Sequence, residues 1–189
     1  MTTDEHPPVE IRIEGLTKSF DDHTVLRGVD MVIRRGEVVA IVGGSGCGKT
    51  VLLNHILGQL EPDAGRVWVA DYGKPGAPMA DMAALDDLEI DAIHMHCGVV
   101  FQRNALFSGS VFENIVLWLR EVKNLDDDAI RPIAQQVLTA VALPVDNAFL
   151  ETDTESLSGG MAKRLAIARA LSMNPKIIFF DEPTTGLDP

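Results

Sequence analysis

The chain has 189 residues, 46% of them apolar and 23% charged, with a formal net charge of −12. This is the profile of a globular domain that can bury a core, and its acidity argues against nucleic acid as main partner, since phosphate backbones call for basic surface. No apolar run approaches the roughly 20 residues that cross a bilayer, and the start "MTTDEHPPVE" has neither a basic opening nor an apolar stretch, so no leader is expected. Cys47 and Cys97, the only cysteines, make no disulfide framework and fit a reducing compartment. A cytosolic chain able to dock on a membrane protein is therefore expected.

In chain order, Ile11 to Leu16 and Val29 to Ile33 alternate apolar and polar residues and predict antiparallel strands, with Gly28 and Arg35-Gly36 as turn signals. Val38-Val39-Ala40-Ile41-Val42 is unbroken and β-branched, the pattern of a strand buried on both faces. Thr50 to Leu57 has helical spacing, Glu61 to Gly65 is a turn and Arg66 to Ala70 a short strand; Asp71 to Ala80, rich in Gly and Pro, predicts an exposed excursion. A helix over Leu85 to His96 leads to a buried strand, Gly98 to Phe101. From Ser110 to about Leu150 the pattern is helical, opened by a capping box, Ser110 with Glu113, and again by the acids Asp126-Asp127-Asp128. Ser158 to Ser172 is a helix and Lys176 to Phe180 a third buried strand. The expectation is one α/β domain over 1–189: an antiparallel N-terminal part, a mostly parallel core sheet and a helical subdomain at about 103–157.

Gly43-Gly44-Ser45-Gly46-Cys47-Gly48-Lys49-Thr50 satisfies the phosphate-loop pattern of nucleoside-triphosphatases. Its glycines let backbone N–H groups converge on phosphate oxygens. Lys49 reaches the β- and γ-phosphates of ATP, and the Thr50 hydroxyl ligates Mg²⁺. Ile177 to Phe180 is an apolar strand ending in Asp181 and Glu182. The first acid is suited to hold Mg²⁺ and the second to act as general base on the attacking water. Ser158-Gly159-Gly160 opens a helix whose N-terminal N–H groups suit an anion. One ATP cannot fill two glycine-rich sites on different faces of a domain; two copies arranged head-to-tail can bring each serine-glycine turn onto the other's γ-phosphate. His94-Met95-His96-Cys97 has alternate ligand types but no second cluster, and reads as a loop rather than a zinc site. Trp68 and Trp118 read as packing residues.

Over its whole length the chain resembles the nucleotide-binding subunit of ATP-binding-cassette (ABC) transporters, with the phosphate loop, "VVFQ", "LSGG", "IIFFDEP" and "GLDP" in order. The resemblance implies a P-loop ABC cassette fold and places the adenine-stacking aromatic at Phe20. It makes Gln102 the glutamine that senses Mg²⁺ and couples to the membrane subunit. Leu157, Ser158, Gly159 and Gly160 become the signature that meets the partner's nucleotide, and Asp188 the aspartate that communicates across the dimer. Met161-Ala162-Lys163-Arg164 after the signature glycines, with "ALF" and "VFENIVLWLRE" after Gln102, is similar to the ATPases of Mla/Mce-type lipid transporters. Those relatives often have a glycine where this chain has Asn104.

The implied partners are a second copy of the chain, an integral membrane permease and a Mce-domain lipid-binding protein, with the chain peripheral on the cytoplasmic face of the inner membrane. Cassettes of this family continue to a switch histidine beyond the position of Asp188, whereas all five histidines here precede the signature. The sequence is therefore expected to be a fragment or truncated product that binds nucleotide, with hydrolysis in doubt. An ABC importer ATPase for amino acids or phosphate remains an alternative, as does a soluble ABC protein without transport, which usually carries two cassettes or a coiled-coil insert.

Overall fold

Alternation along the first third of the chain produces an antiparallel sheet in the computed structural model, which describes residues 7–102 and 105–181. These fall into two compact units divided after His94. In the first, β1 (Val9–Phe20) and β2 (His23–Arg34) form a long hairpin, joined by β3 (Ala64–Ala70) and β4 (Met79–Asp81) in the order β2-β1-β3-β4. Ile11, Ile13 and Leu16 of β1 and Val67 and Val69 of β3 are buried on one face. Helix α1 (Lys49–Ile56) packs on β2 and β3 through its own buried Leu52 and Ile56. Helix α2 (Asp87–His94) ends the unit, where His94 Nε2 donates to the Leu57 carbonyl at 2.9 Å.

The second unit opens with β5 (Cys97–Val100), which pairs in parallel with β6 (Ile177–Phe180) from Cys97 opposite Ile177 to Val100 opposite Phe180. Helices α3 (Val111–Glu121), α4 (Asp127–Ala140), the single turn α5 (Asn147–Leu150) and α6 (Gly159–Ser172) lie between these strands in sequence. Their shared core holds Ile115 of α3, Ile130 and Leu138 of α4, Leu150 of α5 and Leu165 of α6, with Trp118 packed at its margin. Both predicted helix starts take the expected form. Ser110 and Glu113 form a reciprocal capping box, and the Asp126 carboxylate caps α4 by accepting from Ala129 N–H.

Four expectations need correction. The strand expected over Lys176 to Phe180 forms as β6 but is not buried: Ile177 to Phe179 are partly covered and Phe180 is exposed. Val38 to Val42 is not a strand: Val38 is 99% and Val42 92% exposed, and no ladder hydrogen bond joins the segment to the sheet of its unit. Five apolar residues demand burial, but burial between two neighbours also needs strands to pair with, and β2, the nearest strand in sequence, pairs among the described residues only with β1. Gly28 is not a turn. The chain reverses at Asp21-Asp22, and Gly28 sits inside β2 at φ +69°, accepting the irregular pairing there because it has no Cβ. The excursion over Asp71 to Ala80 is not wholly exposed either, since Asp71 is buried and Met79–Asp81 returns as β4 against β3.

Candidate nucleotide site

In the first unit, the glycine-rich loop leads directly into α1. Gly48 occupies the cap position at φ +98° and offers no side chain to the first N–H groups of the helix. A helix start without a side-chain cap, on an exposed loop, is what a bound phosphate would complete. Gly44 and Gly46 face open space, so nothing obstructs the approach of a phosphate to their backbone. Gly43 is close to the Cys47 sulfur, which a Cβ at Gly43 would meet at 2.5 Å, so this end of the loop is tightly wound. Lys49 Nζ donates to the carbonyl oxygens of Gly43 at 2.9 Å and Gly44 at 3.0 Å, and lies 3.9 Å from Cys47 Sγ. Its ammonium is therefore held over the loop, where β- and γ-phosphate oxygens would need it.

The hairpin supports the loop from behind. Gly48 packs on Val25 and Leu26 of β2, and at the turn end of the same hairpin Phe20 pairs with His23. Phe20 is half-exposed, with Lys18 Nζ 5.8 Å from its ring centroid. Lys18 also donates to the Glu61 carbonyl and the Asp63 carboxylate, tying the end of β1 to the turn at 61–63. Hydrogen bonds from Lys18 and from the Ser19 N–H hold the Asp63 carboxyl below its ordinary value.

In the second unit the parallel pairing of β5 and β6 decides where the next candidates fall. Parallel strands end on the same edge of a sheet, the usual place for ligands in α/β proteins. Gln102 follows β5 and Asp181 follows β6, and the Asp181 N–H donates to the Val100 carbonyl at 2.9 Å. An amide and a carboxylate are thus brought to one edge. Hydroxyl, amide and carboxylate oxygens, as on Thr50, Gln102 and Asp181, are the hard donors that Mg²⁺ takes. Among the described residues no group of three or more His, Cys, Asp or Glu could hold a metal ion. A magnesium ion shared with phosphates needs no such cage.

The signature turn starts α6. Ser158 caps the helix, its hydroxyl accepting from Met161 N–H at 3.3 Å, while Gly159 and Gly160 face open space. Leu157 packs against the core of the unit and anchors the turn from below. Glu182 and Asp188 lie outside the described residues.

Sequence reasoning passed over two cations further along α6. Lys163 is only 4% exposed, and its Nζ donates to the carbonyls of Phe101 at 3.1 Å and Gln102 at 3.5 Å. Arg169 Nη1 donates to the Ala105 carbonyl at 2.9 Å, and its guanidinium lies 5.0 Å from the Phe107 ring centroid. Burial lowers the Arg169 pKa from its ordinary value.

A cassette with this loop, this strand edge and this helix start defines a class of nucleotide-binding domain, and the chain belongs to the ABC transporter family, whose model matches residues 26–185. It is 36% identical over 180 residues to the intermembrane phospholipid transport system ATP-binding protein MlaF of Haemophilus influenzae, covering 95% of this chain and 64% of that protein. It is 41% identical over 182 residues to the L-cystine transport system ATP-binding protein TcyN of Escherichia coli, covering 95% and 70%. Among solved structures, cbiO1 of Clostridium perfringens, part of the ABC transporter complex cbiONQ, superposes with a TM-score of 0.80 at 34% identity, covering 96% of this chain and 68% of that one. The dimeric cassette MJ0796 bound to ADP and Pi gives 0.78 at 32% identity, covering 94% and 76%.

Proposed function

We propose that the chain binds MgATP and works as the ATP-hydrolysing subunit of an ABC transporter, as a head-to-tail dimer on the cytoplasmic face of a membrane beside an integral permease. The observation that carries the reading is the exposed glycine-rich loop, with its uncapped helix start and Lys49 held above it. Gly43 to Thr50 bind the phosphates by backbone N–H groups and the Lys49 ammonium, and Phe20 stacks on the adenine. Thr50, Gln102 and Asp181 would hold Mg²⁺, which would offset the negative charge of the phosphates. Glu182 accepts the proton of the attacking water. Ser158 to Gly160 present their N–H groups to the nucleotide of the other copy, and Asp188 communicates across the same dimer. A permease supplies the path across the membrane; no helix among the described residues is long and apolar enough to cross one.

The cargo is a phospholipid or similar lipid moved between membranes, with a Mce-domain protein in the complex. The likeness to MlaF and the sequence after Gly160 support this reading. The higher identity to TcyN supports a second one, an amino-acid importer. Calorimetric titration of the parent and of Lys49→Ala with ATP tests the site: the parent binds and the variant does not, and equal affinities refute the assignment. Reconstitution with a permease subunit that binds the chain separates the cargoes. ATP-dependent lipid transfer between vesicles supports the first reading and cystine uptake the second.

A further inference from the structure

Lys163 is a buried cation that none of the roles above uses. The residue is 4% exposed, no carboxylate pairs with its amine among the described residues, and the amine's acceptors are the carbonyls of Phe101 and Gln102. An ammonium taken out of water is retained only where hydrogen bonds replace its hydration. Here the replacement comes from the backbone of the two residues that follow β5. A few residues on, the same loop is held again. Arg169 takes the carbonyl of Ala105, whose φ of +46° is a left-handed conformation that an alanine adopts at a cost. Asn114 of α3 then clamps Phe107 from both sides, Phe107 N–H donating to Asn114 Oδ1 and Asn114 Nδ2 donating to the Phe107 carbonyl, each at 2.9 Å.

Two of these tethers, Lys163 and Arg169, belong to α6, the helix whose first turn is Ser158-Gly159-Gly160. Lys163 is three residues beyond Gly160, so about 4.5 Å of rigid helix separates the signature turn from the tether. Nothing flexible intervenes between them. A shift of the helix start therefore reaches the Gln102 backbone through a single side chain.

We infer that Lys163 is a positioning residue, linking the signature turn at the start of α6 to Gln102 so that a phosphate met by Gly159 and Gly160 sets where Gln102 stands relative to Mg²⁺. The inference rests on the nucleotide reading above for the roles of Gln102 and the signature, whereas the tether stands on geometry alone. In a head-to-tail dimer it would make one nucleotide's arrival at α6 felt at the metal of the other.

The test has two arms. In the nucleotide-free chain, amide exchange over residues 98–107 reads the tether directly. Lys163→Met should speed it at least tenfold and Lys163→Arg, which keeps a donor, should restore protection; parent-like exchange in Lys163→Met overturns the proposal. In the second arm, calorimetry measures ATP affinity with Mg²⁺ and with EDTA. Lys163→Met should keep the EDTA affinity within twofold and lose at least fivefold of the gain that Mg²⁺ gives. It should also add nothing when combined with Gln102→Ala, and Lys163→Arg should recover the gain. Equal losses with and without Mg²⁺, or additive losses in the double variant, make Lys163 a mere core residue and overturn the inference. A parent that binds no ATP refutes the nucleotide reading instead, and the exchange arm still decides whether the tether exists.

Discussion

Gly48 lies against Val25: a Cβ at Gly48 would come within 2.8 Å of Val25 Cγ1, and within 3.1 Å of Leu26 Cδ2. The glycine also holds φ at +98°. Gly48→Ala therefore meets two obstacles, a backbone conformation that L-residues avoid and Val25 and Leu26 side chains that would have to move. The expected outcome is a loss of about 2–3 kcal/mol in stability, together with weaker ATP binding because the loop leaves its seat on β2. Chemical denaturation and an ATP titration check both. Parent-like stability would mean that the hairpin yields easily and does not fix the loop.

Ser158→Arg addresses the other glycine-rich helix start. The serine hydroxyl caps α6 through Met161 N–H, and its loss costs about 1 kcal/mol. The larger effect comes from the arginine side chain, which fills the open space in front of Gly159 and Gly160. ATP binding to monomers should survive while the ATP-dependent dimer disappears. Sedimentation with ATP and Mg²⁺ should show monomer for the variant, and a normal dimer would contradict the head-to-tail arrangement.

The parts of this protein that the sequence displayed are those whose signal is local. The capping box of α3 is complete in Ser110 and Glu113, the α4 cap in Asp126, and the glycine-rich loop that leads into α1 in Gly43 to Gly48. Each can be read without knowing what lies across the fold. Val38 to Val42 failed because apolarity reports a demand for burial, not the neighbour that meets it. The contacts of Lys163 were not legible for the converse reason. A lysine early in a helix reads as a solvated charge, and nothing near it in sequence reveals that its acceptors are carbonyls more than sixty residues upstream. The small strand β4 was hidden by Gly and Pro in the segment before it, since its register is set by β3 and not by its own three residues.

Asn114 offers a test of how firmly the loop after Gln102 is seated. Its side chain is 1% exposed and makes three hydrogen bonds, two with the Phe107 backbone and one to the Ser110 carbonyl at 3.1 Å. Asn114→Ala leaves the Phe107 N–H without its partner inside the unit, and such a loss costs about 1–3 kcal/mol per orphaned group. A destabilisation of about 3 kcal/mol is expected, with ATP binding at the phosphate loop preserved in the folded fraction. Thermal unfolding followed by circular dichroism reads the first and calorimetry the second. A change below about 0.5 kcal/mol, the range of ordinary surface substitutions, would show that water replaces the asparagine.

The two cysteines provide an internal comparison for the loop. Cys47 is exposed, whereas Cys97, at the start of β5, is buried. Access to a thiol governs its alkylation along with its ionisation, so maleimide should modify Cys47 well before Cys97. Cys47 sits between Gly46 and Gly48 with its sulfur 3.9 Å from Lys49 Nζ, within the space that phosphates would enter. An adduct there should abolish ATP binding, and bound MgATP should shield the thiol. Cys47→Ser removes the reactive group while keeping the size of the side chain, so it should bind ATP like the parent and resist inhibition by maleimide. Mass-spectrometric labelling of both cysteines, with and without MgATP, provides the measurement. If Cys97 labels as fast as Cys47, the burial pattern of β5 is wrong. If MgATP gives Cys47 no protection, then the glycine-rich loop is not where the phosphates bind.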